Sequence, residues 1–392
     1  MKDYLTVIGA GLAGSEAAWQ AAERGVQVVL YEMRPVSRTP VHKTDQCAEL
    51  VCSNSLGNNL PHSAPFILKE ELRSFKSIVI ASGDKNSVPA GSALAVDRDL
   101  FSKEITEKLS NHPNITFKRE EVIEIPQEGP VIIATGPLTS PRLSEQISKL
   151  IGQEYLYFYD ALSPIVNADS IDYDKAFFAS RYDKGDADYL NCPMNESQYY
   201  EFVRELKASA KVPFATFEKA IYFEGCMPIE ELAERGDRTL AFGPLKPVGL
   251  TDPKTGKMAH AVVQLRRENK ESSAYNLVGF QTKLTYPEQK RIFSMIPGLE
   301  NAEFFRFGAI HRNTYINSPS LLNNQLELKS RLGTYFAGQV TGVEGYVESC
   351  AMGLLAGLSA VAKITGSPYT PPPVDTALGA LINYLTASRS KG

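Results

Sequence analysis

Five cysteines, Cys47, Cys52, Cys192, Cys226 and Cys350, are the residues of this 392-residue chain best suited to nucleophilic chemistry. Their odd number and the lack of a close C-x-x-C pair argue against structural zinc, so no metal is expected. A thiol attacks as its thiolate, and hydroxyl and amide donors beside the sulfur favour that form. Cys52 runs into Ser53-Asn54-Ser55 in a polar stretch, and Cys226 stands in the loop-like Phe223-Glu224-Gly225-Cys226-Met227-Pro228. Neither has an adjacent His or Lys, so the residues alone do not choose between them. For Cys47, Cys192 and Cys350 the expectation is the usual fate of a thiol, a small buried hydrophobe.

A second chemical signature lies at the start of the chain. Tyr4 to Ile8 reads as a short strand, and Gly9-Ala10-Gly11-Leu12-Ala13-Gly14 follows it directly. Ser15 to Arg24 has helical composition and is closed by Gly25, and Val26 to Tyr31 reads as a second strand ending at Glu32. Strand, glycine turn, helix, strand and an acid in that order form a dinucleotide fingerprint. The glycines allow the backbone to approach a pyrophosphate, the helix offers unpaired N–H groups, and Glu32 can accept from ribose hydroxyls.

Two distant segments look like parts of the same lobe. Val131 to Ala134 is a buried-type strand ending in Thr135-Gly136, and Tyr335-Phe336-Ala337-Gly338 opens a run studded with Gly342, Gly345, Gly353 and Gly357. Glu344 to Ile364 has helical composition, and its small residues would let it sit close to a sheet or cofactor. Glycine turns near both ends of the chain fit a flavin, held along its whole length. Residues 160–308 differ in texture, being tyrosine-rich and interrupted by prolines, with the alternating run Ala259 to Leu265. The expected fold is therefore α/β: an FAD-binding Rossmann-type, doubly wound domain formed by residues 1–159 and 309–392, with an inserted α+β domain over 160–308. A short last helix is expected around Ala377 to Tyr384, after Pro371-Pro372-Pro373.

At 43% apolar and 22% charged residues the composition is globular, which excludes a disordered chain. No uninterrupted apolar run approaches the ~18 residues of a membrane span. The net charge of −4 supplies no general attraction for polyanions, so any RNA site must be a local basic patch. Arg266-Arg267, Lys270, Lys283 and Lys290-Arg291, interleaved with Tyr275, Phe280 and Tyr286, form one candidate. The N-terminus begins directly with a strand and lacks a basic-then-apolar leader, so a cytoplasmic location with reduced thiols is expected.

The segments GAGLAGSEAAW (9–19), AELVCSNSL (48–56), PAGSALAVDRDLF (89–101), ATGPLTS (134–140), DYLNCPM (188–194), FGPLKPVGLTDPKTGK (242–257), VVQLR (262–266), IPGLENAEFFRFGAIHRNTYINSP (296–319) and FAGQVTGVEGYVES (336–349) span the chain. Together they resemble the folate- and FAD-dependent tRNA (uracil-5-)-methyltransferase family, with the GidA/MnmG flavoproteins as more distant cousins. The chain departs from the family pattern at Cys47, where an aromatic residue is usual, and it ends at Gly392 without the segment that usually follows Tyr384.

The resemblance implies methylation of a uridine at C5, with 5,10-methylenetetrahydrofolate as carbon donor, reduced FAD as mediator and reductant, and NAD(P)H regenerating the flavin. The implied partner is RNA, with the T-loop uridine of a tRNA as first expectation and a ribosomal uridine as the alternative. It places the nucleophile at Cys52 and a second functional cysteine, assisting proton removal, at Cys226. Uracil C5 becomes nucleophilic only after a nucleophile has added at C6, which is work suited to a thiolate. Cofactor contacts are implied at Gly9, Ala10, Gly11, Leu12, Ala13, Gly14, Glu32, Arg98, Thr135, Gly136, Gly338, Gly342, Glu344 and Gly345. His311, Arg312 and Tyr346 fall where the family flanks the folate pterin. The nucleotide motifs taken alone would equally suit an NAD(P)H-dependent FAD oxidoreductase acting on a small molecule.

Overall fold

The computed structural model describes residues 4–39, 41–152, 156–183, 186–213, 222 and 227–387. Its first layer is a parallel sheet in the order Thr334–Phe336, Val131–Ile133, Tyr4–Ile8, Gln27–Tyr31, Ile115–Lys118. The central strand Tyr4–Ile8 is almost entirely buried, as expected for a parallel strand covered on both faces. Segments more than 300 residues apart in sequence thus share one sheet, which is the α/β arrangement anticipated for the two glycine-rich ends.

The helix Leu12–Ala22 begins directly after Gly11, and no side chain caps it. Its first-turn N–H groups are left for whatever stands before them. The long helix Tyr346–Thr365 lies across it at very short range. A Cβ on Gly353 would stand 2.1 Å from the Ala13 carbonyl oxygen, and one on Gly357 would stand 3.0 Å from that of Ala17. The small residues that suggested close packing are therefore used against another helix. By length and composition this 20-residue helix could cross a membrane, although Glu348 and Lys363 keep it from being an uninterrupted apolar run. Its apolar side chains are instead consumed by the core, packed with Leu12, Ala17, Leu72 and Leu378.

A six-stranded antiparallel sheet forms from residues 165–306, in the order Phe177–Ala179, Tyr189–Met194, Ala261–Arg267, Ala274–Leu277, Ile165–Asn167, Phe304–Arg306. It has its own core, in which Leu190, Val263, Leu265 and Leu277 meet Tyr199 and Phe202 from the helix Glu196–Ala208. The alternation read in Ala259 to Leu265 implied one wet face, yet Ala261 to Arg266 are all buried. The polar face is covered as well, because Gln264 is bonded by Asn191 and Arg266 reaches Asn54. Two antiparallel strands, Leu156–Ala161 and Ile310–Tyr315, carry the chain into and out of this middle segment.

The candidate RNA-binding stretch is not assembled as one surface. Tyr275 and Phe280 are core residues, and Arg266 is buried. Lys283 pairs with Glu231, and Arg291 pairs with Glu205 and Glu288. Tyr275 and Phe280 thus lie on the inner side of their elements, Tyr286 is exposed, and Lys283 and Arg291 stand next to carboxylates.

Replacing Gly353 by Ala would gain ~1 kcal/mol in helix propensity but force the two helices apart. We expect a net loss of about 1–3 kcal/mol, read as a lower denaturant midpoint. An unchanged midpoint would contradict this packing.

Candidate active site

A single cavity of about 1200 Å³, counted with the solvent at its mouth, opens beside the glycine turn. Gly9, Gly11, Leu12, Ala13, Glu32, Thr135, Gly136, His311, Gly338 and Tyr346, all expected at a cofactor, line it. So does Cys52. The glycines there have different tasks. A Cβ on Gly11 would meet nothing within 4 Å, whereas one on Gly14 would stand 1.7 Å from the Gly9 carbonyl oxygen and one on Gly9 would stand 2.6 Å from that of Ala134. Gly11 therefore keeps space open, and Gly9 and Gly14 hold strand, turn and helix together.

Of the remaining expected residues, Ala10, Gly14, Arg98, Gly342, Glu344 and Gly345 stand outside the cavity wall. Ala10 contributes its backbone N–H to Glu32 Oε2 at 3.0 Å, tying the turn to the acid at the end of the second strand. Gly342 and Gly345 have φ of +89° and +98° and shape the turn before the long helix. Arg98, expected at the cofactor, donates from its guanidinium to the carbonyls of Leu50 and Val51 and pairs with Glu268 at 2.6 Å. The side chain of Arg312 lies outside the described residues, and so does Cys226.

Glu32 anchors a buried charge network. Arg34 Nε lies 2.8 Å from Glu32 Oε1, and Arg34 Nη1 lies 3.0 Å from Glu49 Oε2. Burial by itself would raise the Glu32 carboxyl, but the Arg34 guanidinium outweighs it and holds the group below its ordinary range. Burial, then the Arg34 charge, lowers His42 to about 4, so this imidazole on the cavity wall is neutral. On the opposite wall His311 pairs across the two strands with Asp160, whose Oδ2 accepts from Asn313 at 3.2 Å. Burial and the Asp160 charge push Glu344 up to about 7.

The cysteines separate by environment. Cys47, Cys192 and Cys350 are fully buried, and burial pushes Cys47 and Cys192 up to about 12 and raises Cys350. Cys52 is half-buried, and among the described cysteines it alone borders the cavity. Its loop is held by side chains from elsewhere. The phenol oxygen of Tyr346 accepts from the Cys52 and Ser53 N–H groups at 2.7 and 3.3 Å. Asn54, fully buried, donates to the carbonyls of Val96 and Arg267 and accepts from Arg266 Nε at 2.8 Å.

Sequence reading missed Arg34, His42, Glu49, Asp160, Asn313 and the clamping role of Asn54. None belongs to a spacing pattern with a mechanism. Their one sequence signal is proximity to residues already singled out, as with Arg34 beside Glu32 and Asn54 beside Cys52.

A parallel sheet feeding a glycine turn, an uncapped helix start and a strand-end acid, all at one cavity, defines a dinucleotide-binding α/β protein. The sequence pattern of the family described as "Glucose inhibited division protein A" matches residues 4–368. A protein of Heliobacterium modesticaldum named methylenetetrahydrofolate–tRNA-(uracil-5-)-methyltransferase TrmFO is 60% identical over 388 residues, covering 99% of this chain and 88% of its own length. One of the same name from Exiguobacterium sp. is 58% identical over 391 residues, covering 100% and 89%. The solved structure of Aquifex aeolicus GidA shares the fold, with a TM-score of 0.74 at 18% identity over 98% of this chain and 68% of that one. The chain belongs to the glucose inhibited division protein A family and, within it, to the group of the TrmFO methyltransferases.

The raised Glu344 carboxyl gives a signed pH dependence. An acid with a raised folded pKa contributes fully below its unfolded value and loses that contribution as pH climbs from about 4.5 through about 7. Glu344→Gln should therefore melt above wild type near ~pH 8, with the gap closing near ~pH 4. A gap independent of pH would mean that Glu344 ionises normally.

Proposed function

We propose that this chain methylates C5 of a uridine in RNA, the T-loop uridine of a tRNA, taking the carbon from 5,10-methylenetetrahydrofolate. The observation that carries the reading is the placement of Cys52, half-buried at the wall of the cavity that the glycine turn builds. The names and near-complete coverage of its relatives support it. We further propose residues 1–159 with 309–392 as the cofactor-binding domain and 160–308 as the inserted domain, supported by the separate cores of the two sheets. A cytoplasmic site of action belongs to the same reading.

The residues present fit FAD. Gly11 leaves open the space a Cβ would fill, the first turn of Leu12–Ala22 has no side-chain cap, and Glu32 stands at the end of the second strand. Gly9, Gly11, Leu12, Ala13, Thr135, Gly136 and Gly338 would hold the dinucleotide, and His311 and Tyr346 would border the folate. When bound, reduced FAD mediates the one-carbon transfer and supplies reducing equivalents, and NAD(P)H restores it.

This chain's own residues handle the base. The Cys52 thiolate adds at C6 of uracil and leaves C5 electron-rich, so that C5 takes the carbon delivered by folate. Cys226, outside the described residues, removes the C5 proton, after which the bond from C6 to sulfur breaks. Neutral His42 and His311 leave the walls of the cavity without extra positive charge near neutral pH.

Two outcomes test the reading. Gly11→Ala should fold normally and lose FAD, because its methyl group meets only the ligand, whereas Gly14→Ala should lose stability first. Normal flavin retention in folded Gly11→Ala would remove the dinucleotide from this turn. Given RNA lacking 5-methyluridine, methylenetetrahydrofolate and NADPH, the wild type should place the modification in the tRNA T loop, and FAD-loaded Cys52→Ala should place none. An active Cys52→Ala enzyme would reject Cys52 as the nucleophile.

A further inference from the structure

Of the three aromatics interleaved with basic residues in the 266–291 stretch, Tyr286 is the one that faces solvent, with 58% of its surface exposed. It ends a column of rings that rises from the core of the antiparallel sheet. Phe280 and Phe293, both fully buried, meet at 5.3 Å, and Phe293 meets half-buried Phe304 at 6.5 Å. Phe304 stacks on Phe307 at 5.0 Å and 18°, and Phe307 stacks on Tyr286 at 5.1 Å and 17°. The last three rings are thus nearly parallel, and the exposure of the outermost leaves it a face for one more flat partner. The buried rings beneath hold it in place.

This column is tied to the cavity. Gln289, buried on the helix Tyr286–Phe293, accepts from the Gly308 N–H at 2.7 Å and donates to the Gly308 carbonyl at 2.9 Å. Gly308 follows Phe307 directly and leads into the strand Ile310–Tyr315, whose His311 lines the cavity. His311 comes four residues after Phe307, a span of at most about 14 Å of chain. The surroundings of the outer ring are polar. Lys290, four residues after Tyr286 and so on the same helix face, is exposed and makes no ion pair among the described residues.

A uridine flipped into the cavity leaves its loop neighbours unstacked, and aromatic rings recognise such bases. We propose that Tyr286 is the stacking platform for a base flanking the target uridine in the RNA loop, with Lys290 contacting the phosphate backbone beside it. The inference rests on the proposed methylation of RNA. A single-stranded RNA loop fits this surface better than a protein does, because a protein contact needs a broad apolar patch. The exposed residues that follow Tyr286 on its helix are instead Pro287, Lys290 and Arg291. Stacking accepts any base, so Tyr286 fixes where the loop sits and leaves the choice of base to the cavity.

The test titrates an unmodified tRNA transcript into FAD-loaded protein without folate, so that binding is read apart from methylation. Tyr286→Ala should weaken binding about tenfold with flavin content unchanged, and Tyr286→Phe should stay within about threefold of wild type. Lys290→Ala should lower the slope of log affinity against log salt by about one, an independent arm should Tyr286→Ala fail to fold. In turnover, Tyr286→Ala should raise KM for tRNA and leave kcat at saturating tRNA near that of wild type. Wild-type affinity in folded Tyr286→Ala, equal weakening in Tyr286→Phe, an unchanged salt slope in Lys290→Ala or a wild type that binds no tRNA would overturn the proposal. So would loss of self-association in Tyr286→Ala with tRNA affinity intact, which would make the ring a contact between copies of this chain. A wild type that binds tRNA through Tyr286 yet places no 5-methyluridine in it would instead sink the functional reading and leave the platform standing.

Discussion

The backbone of the Cys52 loop is satisfied by side chains and not by a ladder of its own. Arg98 donates to Leu50 and Val51, Tyr346 accepts from Cys52 and Ser53, and Asn54 bridges to Val96 and Arg267. These partners come from the helix Arg98–Ser110, from the first residue of the long helix, and from strands on either side of the loop. Unpaired polar groups at partly buried positions are costly, so each bond fixes the loop relative to one more part of the fold. The thiol is placed by tertiary structure.

The same contacts link the thiol to the cavity. Tyr346 starts the helix that approaches Leu12–Ala22 through Gly353 and Gly357, and Leu12 and Ala13 form the cavity wall next to the glycine turn. Widening that helix pair would move the Tyr346 phenol and the wall together. Asn54 and Arg266 then join the loop to the antiparallel sheet. One close helix crossing and one buried asparagine thus set cavity and nucleophile in a common frame.

Much of this frame was legible in the sequence, for a physical reason. The strand Tyr4–Ile8, the turn Gly9 to Gly14 and the acid Glu32 are contiguous, and local rules govern contiguous segments. The long helix was read to within two residues at its start, and its small residues correctly signalled a close neighbour, although not which one. What the Arg98 guanidinium bonds was not legible, because it depends on carbonyls almost 50 residues away and on Glu268. The basic and aromatic run at 266–291 misled for a related reason. Composition does not tell which face of a strand or helix is covered, and Tyr275, Phe280 and Arg266 face inward.

The central claim, that tertiary contacts hold Cys52 as the attacking thiol beside the cofactor cavity, is tested most directly by trapping the sulfur on its substrate. The FAD-loaded enzyme would be incubated with methylenetetrahydrofolate, NADPH and tRNA transcripts containing 5-fluorouridine, which lacks the C5 proton whose loss allows release. Protein–RNA species resistant to denaturation would then be digested and the modified peptide sequenced by mass spectrometry. The account predicts a covalent adduct on the peptide that contains Cys52 and none in Cys52→Ala. An adduct borne by another cysteine while Cys52 stays unmodified would contradict it.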